Sequence, residues 1–347
     1  MRKLVTLRQI NAITSIPGAD FIERVAIDGW SAVATKGDFS VGDPCLYFEI
    51  DCYIPYGDAR FEFLMKDKIV WSGVEGVRIR TREFRKQISQ GLALPLAQFP
   101  EVVEIVESMT PAQARAIDFT ELLGVLKWER EIPAELLALV NGGMPSYIRK
   151  TEVERIQNIP EIFDEQADVI FQETVKLDGY SMTVFSHLQD SGVCMRNWWL
   201  KNDVPNEYAA VANDFGLLEA VRKYPKSIAL QGELIGPRVC GNHDRLSARE
   251  FRLFKIYDIA QSRYVGYQER EEIIADLRLL GANILQVPTV RFVRLGDLGS
   301  VERVLESASG PSLNPEVSCE GKVFCSVDGR TSFKAISNSY LLTNTDS

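Results

Sequence analysis

Val175-Lys176-Leu177-Asp178-Gly179 closes a run whose apolar residues, Val169, Ile170, Phe171 and Val175, read as a strand. A lysine amine attacks electrophiles and holds them covalently once burial or a nearby cation strips its proton. Asp-Gly turns the chain sharply, so Lys176 can sit at a strand end, facing a pocket. The same residues also fit a surface turn with a solvated lysine. The stretches that follow Lys176 decide between these readings.

The 347-residue chain has room for two domains. Its hydrophobic content of 46% and charged content of 25% are those of a globular protein. No apolar run is long enough to span a membrane. The opening Met1-Arg2-Lys3-Leu4-Val5-Thr6 turns polar too early for a signal peptide. Six cysteines without a Cys-x-x-Cys pair point to reduced thiols in a cytoplasmic protein and to no zinc site. Two histidines, His187 and His243, leave little for histidine catalysis or a histidine-rich metal centre. A net charge of -9 and a pI of about 5.1 argue against bulk electrostatic binding of nucleic acid, but not against a local basic patch.

Residues 1–110 are β-rich. Ser31-Ala32-Val33-Ala34, Cys45-Leu46-Tyr47-Phe48-Glu49-Ile50 and Gly76-Val77-Arg78-Ile79-Arg80 are short strand-like runs. Turns punctuate them at Gly37, Gly42-Asp43-Pro44, Pro55-Tyr56-Gly57 and Gly91. This pattern suggests a small closed barrel, of which the OB-fold is the commonest that binds nucleic acid. The stretch from Arg78 to Gln87 is the most basic in the chain. As one strand it aims Arg78, Arg80 and Arg82 at one face. That face is either a stripe for RNA phosphates or a solvated strand surface.

Residues 111–146 read as a helical linker. Helix formers run over Ala112–Ile117 and Pro133–Val140, and Asn141-Gly142-Gly143-Met144-Pro145 is a stop. Residues 147–347 alternate strands and helices irregularly. Helices are expected over Pro205–Arg222 and Glu269–Leu280, and strands over Ile228–Glu233, Arg252–Ile259, Lys322–Ser326 and Thr331–Ile336. The fold class is α+β with mostly antiparallel strands.

Several pieces follow Lys176 in order: Arg196-Asn197, Gly232-Glu233-Leu234-Ile235-Gly236, Phe254-Lys255-Ile256-Tyr257-Asp258-Ile259, Cys319-Glu320-Gly321-Lys322-Val323 and Ser332-Phe333-Lys334-Ala335. Singly, each is an exposed Arg, a turn Glu, a core Phe or a surface Lys. Together they resemble the motifs of the covalent nucleotidyltransferases: Lys-x-Asp-Gly, the Arg motif, Glu-x-x-Gly, the aromatic strand, Glu-Gly-x-Val and the terminal lysine strand. The resemblance implies an ATP-grasp-like ligase domain in which Lys176 attacks the α-phosphate of ATP and forms lysyl-AMP. It implies that Arg149 and Lys334 steady the phosphates, that Phe254 stacks on the purine and that Arg196 contacts the ribose or the acceptor phosphate. It also implies that Val175, Asp178 and Gly179 complete the nucleotide pocket. Glu233 and Glu320 would hold Mn or Mg, directly or through waters.

Only 13 residues follow Lys334, so the C-terminal OB domain of ATP-dependent DNA ligases and capping enzymes is not expected. The candidate barrel comes first instead. That order resembles the fifth RNA ligase family, of the Deinococcus and Naegleria type. Arg85-Lys86-Gln87-Ile88-Ser89-Gln90-Gly91-Leu92-Ala93-Leu94-Pro95-Leu96 is similar to that family's barrel segment. Tyr147-Ile148-Arg149-Lys150-Thr151-Glu152 with Arg155-Ile156-Gln157-Asn158 is similar to the start of its transferase domain.

Two departures stand out. The family's Lys-x-Lys is Ser332-Phe333-Lys334 here, so one phosphate-contacting lysine is missing. The position after Glu320-Gly321, usually apolar, is Lys322. With Val327-Asp328-Gly329 as a three-residue hairpin loop, Lys322 falls opposite Lys334 and Glu320 opposite Ile336. Lys322 would then share the pocket face and replace the lost lysine; the other reading lets its tip escape to solvent.

The sequence thus reads as a monomeric, cytoplasmic, ATP-dependent RNA ligase that joins RNA 3′-OH and 5′-phosphate ends, at free strand ends or nicks in a duplex. Other readings are a DNA ligase, a capping-type guanylyltransferase, or a non-catalytic RNA-binding protein with a decayed site. Lys176→Ala is expected to abolish covalent labelling by radioactive ATP after denaturing electrophoresis. Label retained by that variant would remove Lys176 as the nucleophile.

Overall fold

β-Branched and aromatic runs in residues 3–128 pair into four small antiparallel sheets in the computed structural model, which describes residues 3–85, 87–128 and 138–343. Val5–Gln9 pairs with Pro44–Phe48, which pairs in turn with Leu92–Pro95. Ile22–Ile27 and Trp30–Thr35 form a hairpin whose alternation buries Val25, Ile27, Trp30 and Ala32 together. A second core gathers Phe48, Phe61, Phe99 and Phe119.

The chain divides into two compact units, Met1–Glu131 with Leu341–Asp346, and Ile132–Tyr340 with Ser347. The stretch expected to be a helical linker is divided between them. Pro111–Arg115 is a helix capped by Thr110, and Ala114, Phe119 and Val125 join the core of the first unit. Leu126–Lys127 pairs with Cys52–Pro55. Part of the expected helix at 133–140 lies outside the described residues. Its end is a strand, Val140–Gly143, paired with Trp198–Leu200. The glycines that read as a stop lie in a sheet edge, where pairing outweighs their low strand propensity.

The arginine stripe is also corrected. Val74–Arg78 ends before Ile79, and Arg82–Phe84 is a separate strand paired with Gln87–Ser89. Arg78, Arg80 and Arg82 therefore do not follow one pleat. Arg78 pairs with Asp51 at 2.9 Å and covers the Trp128 ring at 3.6 Å. Arg82 pairs with Asp67 at 2.8 Å, and Arg80 is exposed.

The second unit holds two sheets. The larger orders Val140–Gly143, Trp198–Leu200, Asp190–Cys194, Tyr180–His187, Ile228–Ile235, Glu250–Asp258 and Arg263–Tyr264, with Leu285–Gln286 beside Glu250–Asp258. The smaller orders Glu154–Arg155, Ser332–Ile336, Gly321–Ser326, Ile170–Lys176 and Thr289–Arg294. Most pairs are antiparallel, as expected. Helices Glu207–Asp214, Leu217–Lys223 and Tyr267–Leu279 bury Val211, Leu217, Val221, Ile273 and Leu277 against Met182, Leu230 and Leu253 of the larger sheet. The single helix expected over Pro205–Arg222 is two helices because Gly216 adopts φ +64°, a conformation only glycine holds without strain. Among the described residues no helix is long and apolar enough to cross a membrane, and the six cysteines are free thiols.

The last hairpin differs from the expected register by one residue. Ser326 N donates to Thr331 O at 2.9 Å, so the loop has four residues, and Lys322 pairs with Ala335 while Val323 pairs with Lys334. Lys322 thus shares a face with Val175, Phe324 and Phe333, and Lys176 and Lys334 occupy the other face. Phe324, Phe333 and Ala335 of the first face pack against Leu295, Leu298, Val301 and Val304, and Val175 at its end packs with Leu177, Ile235 and Phe254. The expected register assumed that Glu320 obeys the pleat. Glu320 lies in a bend before Gly321–Ser326, where alternation does not apply.

Lys322 therefore lies on the face opposite Lys176 and Lys334, and not opposite Lys334 as expected. Lys322→Met is expected to leave labelling by ATP within about twofold of wild type, read as a single-turnover rate. A tenfold loss would return Lys322 to the phosphates.

Candidate active site

Lys176 ends the strand Ile170–Lys176, and its ammonium donates to Glu320 in a half-buried ion pair. Burial pulls the lysine's pKa down, but Glu320, Glu233 and Asp178 outweigh it and hold the proton on. Glu233 comes from the neighbouring sheet, on Ile228–Ile235. Burial pushes its carboxyl up to about 8, with Lys176 opposing that rise. Arg196, exposed in the turn before Trp198–Leu200, also acts on Glu233. Gly179 lets this packing happen: a Cβ there would stand 2.4 Å from Leu234 O.

Asp178 is raised by burial and accepts a hydrogen bond from Tyr340. His243 stands near it, its ring 5.8 Å from Tyr340 and its Nε2 2.7 Å from Ser318 O. Neither Tyr340 nor His243 carries a motif, and both reach the site from distant parts of the chain.

Phe254 and Lys255 sit where Glu250–Asp258 bulges. Gln231 pairs with Lys255 and Gly232 with Leu253, leaving Phe254 between them without a partner. A bulge breaks alternation and re-aims side chains. Phe254 packs, half-buried, against the cluster of Val175, Leu177, Ile235 and Cys319. Lys255, absent from the expected site, donates to Ser332 Oγ at 2.7 Å in the smaller sheet. Arg270 joins the two sheets by donating to Gln172 Oε1 at 2.8 Å and to Phe254 O at 3.3 Å.

The register puts Lys334 on the face of Lys176, one pairing row away. Arg149 is exposed and lies 5.8 Å over the Tyr264 ring. It lines a cleft of about 410 Å³ with Arg263, Tyr264 and Arg330. The structure thus gathers Lys176, Asp178, Glu233 and Glu320 closely, with Val175, Gly179, Arg196, Phe254 and Lys334 around them, and places Arg149 beside Lys255 and Tyr264.

Among the described residues no group of three or more His, Cys, Asp or Glu side chains could enclose a metal. Glu233 and Glu320 still suit a hard divalent ion of the Mg or Mn type, which binds through one or two carboxylates plus phosphates and waters. Burial raises the pKa of Glu233, and a cation beside its carboxylate would offset that cost.

An OB-fold domain family matches residues 4–96 of this chain, and an RNA ligase family matches residues 169–336. No curated protein sequence matches it. The structure of Naegleria gruberi RNA ligase with PPi is similar over 100% of both chains, at 40% identity and a TM-score of 0.90. A mutant of that ligase with ATP and Mn is similar over 98% of both chains, at 40% identity and 0.88. A further mutant, with AMP and Mn, is similar over 100% of both chains, at 40% identity and 0.90.

The folded protein holds the Glu233 proton more tightly than the unfolded chain does. The contribution of Glu233 to metal-free stability is therefore fully present below the ordinary glutamate range and is lost as pH rises through about 8. Mn is expected to raise the melting temperature more at about pH 8 than at about pH 5, and Glu233→Gln to remove the difference. Equal shifts at both pH values in the wild type would take Glu233 out of the metal site.

Proposed function

Because the chain belongs to the RNA ligase family, we propose which of its residues carry each step of ATP-dependent RNA sealing. The observation that carries the assignment is Lys176, a half-buried lysine held by Glu320 with Glu233 and Asp178 around it. Its nitrogen attacks the α-phosphorus of ATP. The N–P bond forms, the bond to the bridging oxygen of the β-phosphate breaks, and pyrophosphate leaves with that electron pair. Lys176 must first lose the proton that its carboxylate neighbours retain, and burial works toward that loss.

AMP then passes to an RNA 5′-phosphate, and Lys176 departs as the amine. A 3′-OH attacks that phosphate, AMP leaves, and the strand is closed. Lys334 and Arg149 oppose the charge on the phosphates, Phe254 carries the purine, and Arg196 meets the ribose or the acceptor phosphate. Asp178, steadied by Tyr340, orients the turn that aims Lys176. A divalent ion on Glu233 and Glu320, Mn or Mg, would supply further positive charge against the phosphates.

The first unit serves the RNA. Arg80 is exposed, and the pairs Arg78–Asp51 and Arg82–Asp67 are partly exposed, so all three arginines can reach backbone phosphates at little cost. The protein works as a monomer in the cytoplasm on free strand ends or nicks.

Wild-type protein is expected to take label from ATP and none from GTP, and to join a 3′-OH RNA to a 5′-phosphate RNA. Label from GTP, or label without joined RNA, would overturn the reading.

A further inference from the structure

A buried lysine of the larger sheet reaches the terminal strand of the smaller one. Ser332 occupies the first position of the terminal Ser332-Phe333-Lys334 stretch, and Lys255 of the other sheet places its ammonium 2.7 Å from Ser332 Oγ. Lys255 is only 8% exposed. The Tyr264 ring lies 4.7 Å away and carries the Arg149 guanidinium at 5.8 Å, and Arg149, Arg270 and Cys325 also act on Lys255. No carboxylate pairs with Lys255 among the described residues. A buried cation without a counter-ion is costly, and an arriving anion removes that cost.

The position fits one particular anion. On the face of Lys176 the pairing rows run Lys176–Gly321–Ile336, then Thr174–Val323–Lys334, then Gln172–Cys325–Ser332. Successive rows lie about 7 Å apart along the strand. Lys334 is therefore one row from the nucleophile, and the Lys255–Ser332 pair is two. Phe254 lies at the Lys176 end, in the cluster with Val175 and Leu177. A nucleotide with its base toward Phe254 and its α-phosphorus at Lys176 trails its outer phosphates past Lys334 toward Lys255.

We propose that Lys255, presented by the bulge and seated on Ser332, binds the β- and γ-phosphates of ATP and steadies the departing pyrophosphate. Pyrophosphate leaves with the electron pair of the broken P–O bond, and Lys255 opposes the charge that develops on it; no proton of Lys255 is transferred. This rests on the ligase reading above.

The test separates the steps. Lys255→Met is expected to slow labelling of Lys176 by ATP about 10- to 100-fold and to slow the reverse reaction of the adenylylated enzyme with pyrophosphate similarly. Sealing of pre-adenylylated RNA, which involves no pyrophosphate, is expected to stay within about threefold of wild type and shows that the variant is folded. Lys255→Met with Ser332→Lys moves the charge back to the neighbouring strand and is expected to recover most of the labelling rate. Unchanged labelling in Lys255→Met would overturn the proposal, as would an equal loss in the sealing of pre-adenylylated RNA or a double variant no faster than the single one. A wild-type enzyme that takes no label from ATP would instead overturn the ligase reading itself.

Discussion

The ion pair between Lys176 and Glu320 is the contact around which the second unit is arranged. It joins the end of Ile170–Lys176 to the bend that enters Gly321–Ser326, two strands already paired along their length. Burial works to strip the lysine's proton, and three carboxylates work to keep it. A lysine poised between these opposing effects responds strongly to any charge brought close to it. Glu233 shows the same balance from the other side, its carboxyl raised by burial and lowered by Lys176.

Two sheets must meet to make this site, and each gives up regularity where they do. Glu250–Asp258 bulges at Phe254, so neighbouring residues in sequence, Phe254 and Lys255, both serve the region between the sheets. Glu320 stands outside the pleat of its own strand and is free to reach Lys176. Gly179 carries no Cβ because Leu234 O already fills that space. The departures from regular strand geometry fall at the chemistry, and the regular parts hold the cores.

Positive charge is distributed by the same logic. Lys322 lies on the covered face and Lys334 on the open one, although both sit on one hairpin. Lys255 comes from a different sheet and stands beside the serine of the terminal strand. The position of a cation in space, and not its place in a motif, decides whether it can meet a phosphate.

The cluster was legible in the sequence through the order of its motifs. Lys176, Asp178, Glu233 and Glu320, each bland by itself, were singled out by their resemblance as a set, and the structure brings them together. The strands around them, Ile228–Ile235, Gly321–Ser326 and Ser332–Ile336, were legible because alternation and turns are local. Lys255 did leave a signal, a charged residue inside an apolar strand, but alternation gave no partner for it. The helix break at Gly216 and the sheet-edge role of Val140–Gly143 depended on neighbours far along the chain. So did Tyr340 on Asp178 and Lys255 on Ser332, which are separated in sequence by 162 and 77 residues. Only tertiary structure could decide these, because a one-residue change in a hairpin loop reverses every face that follows, and no local pattern reports which sheet a bulge will meet.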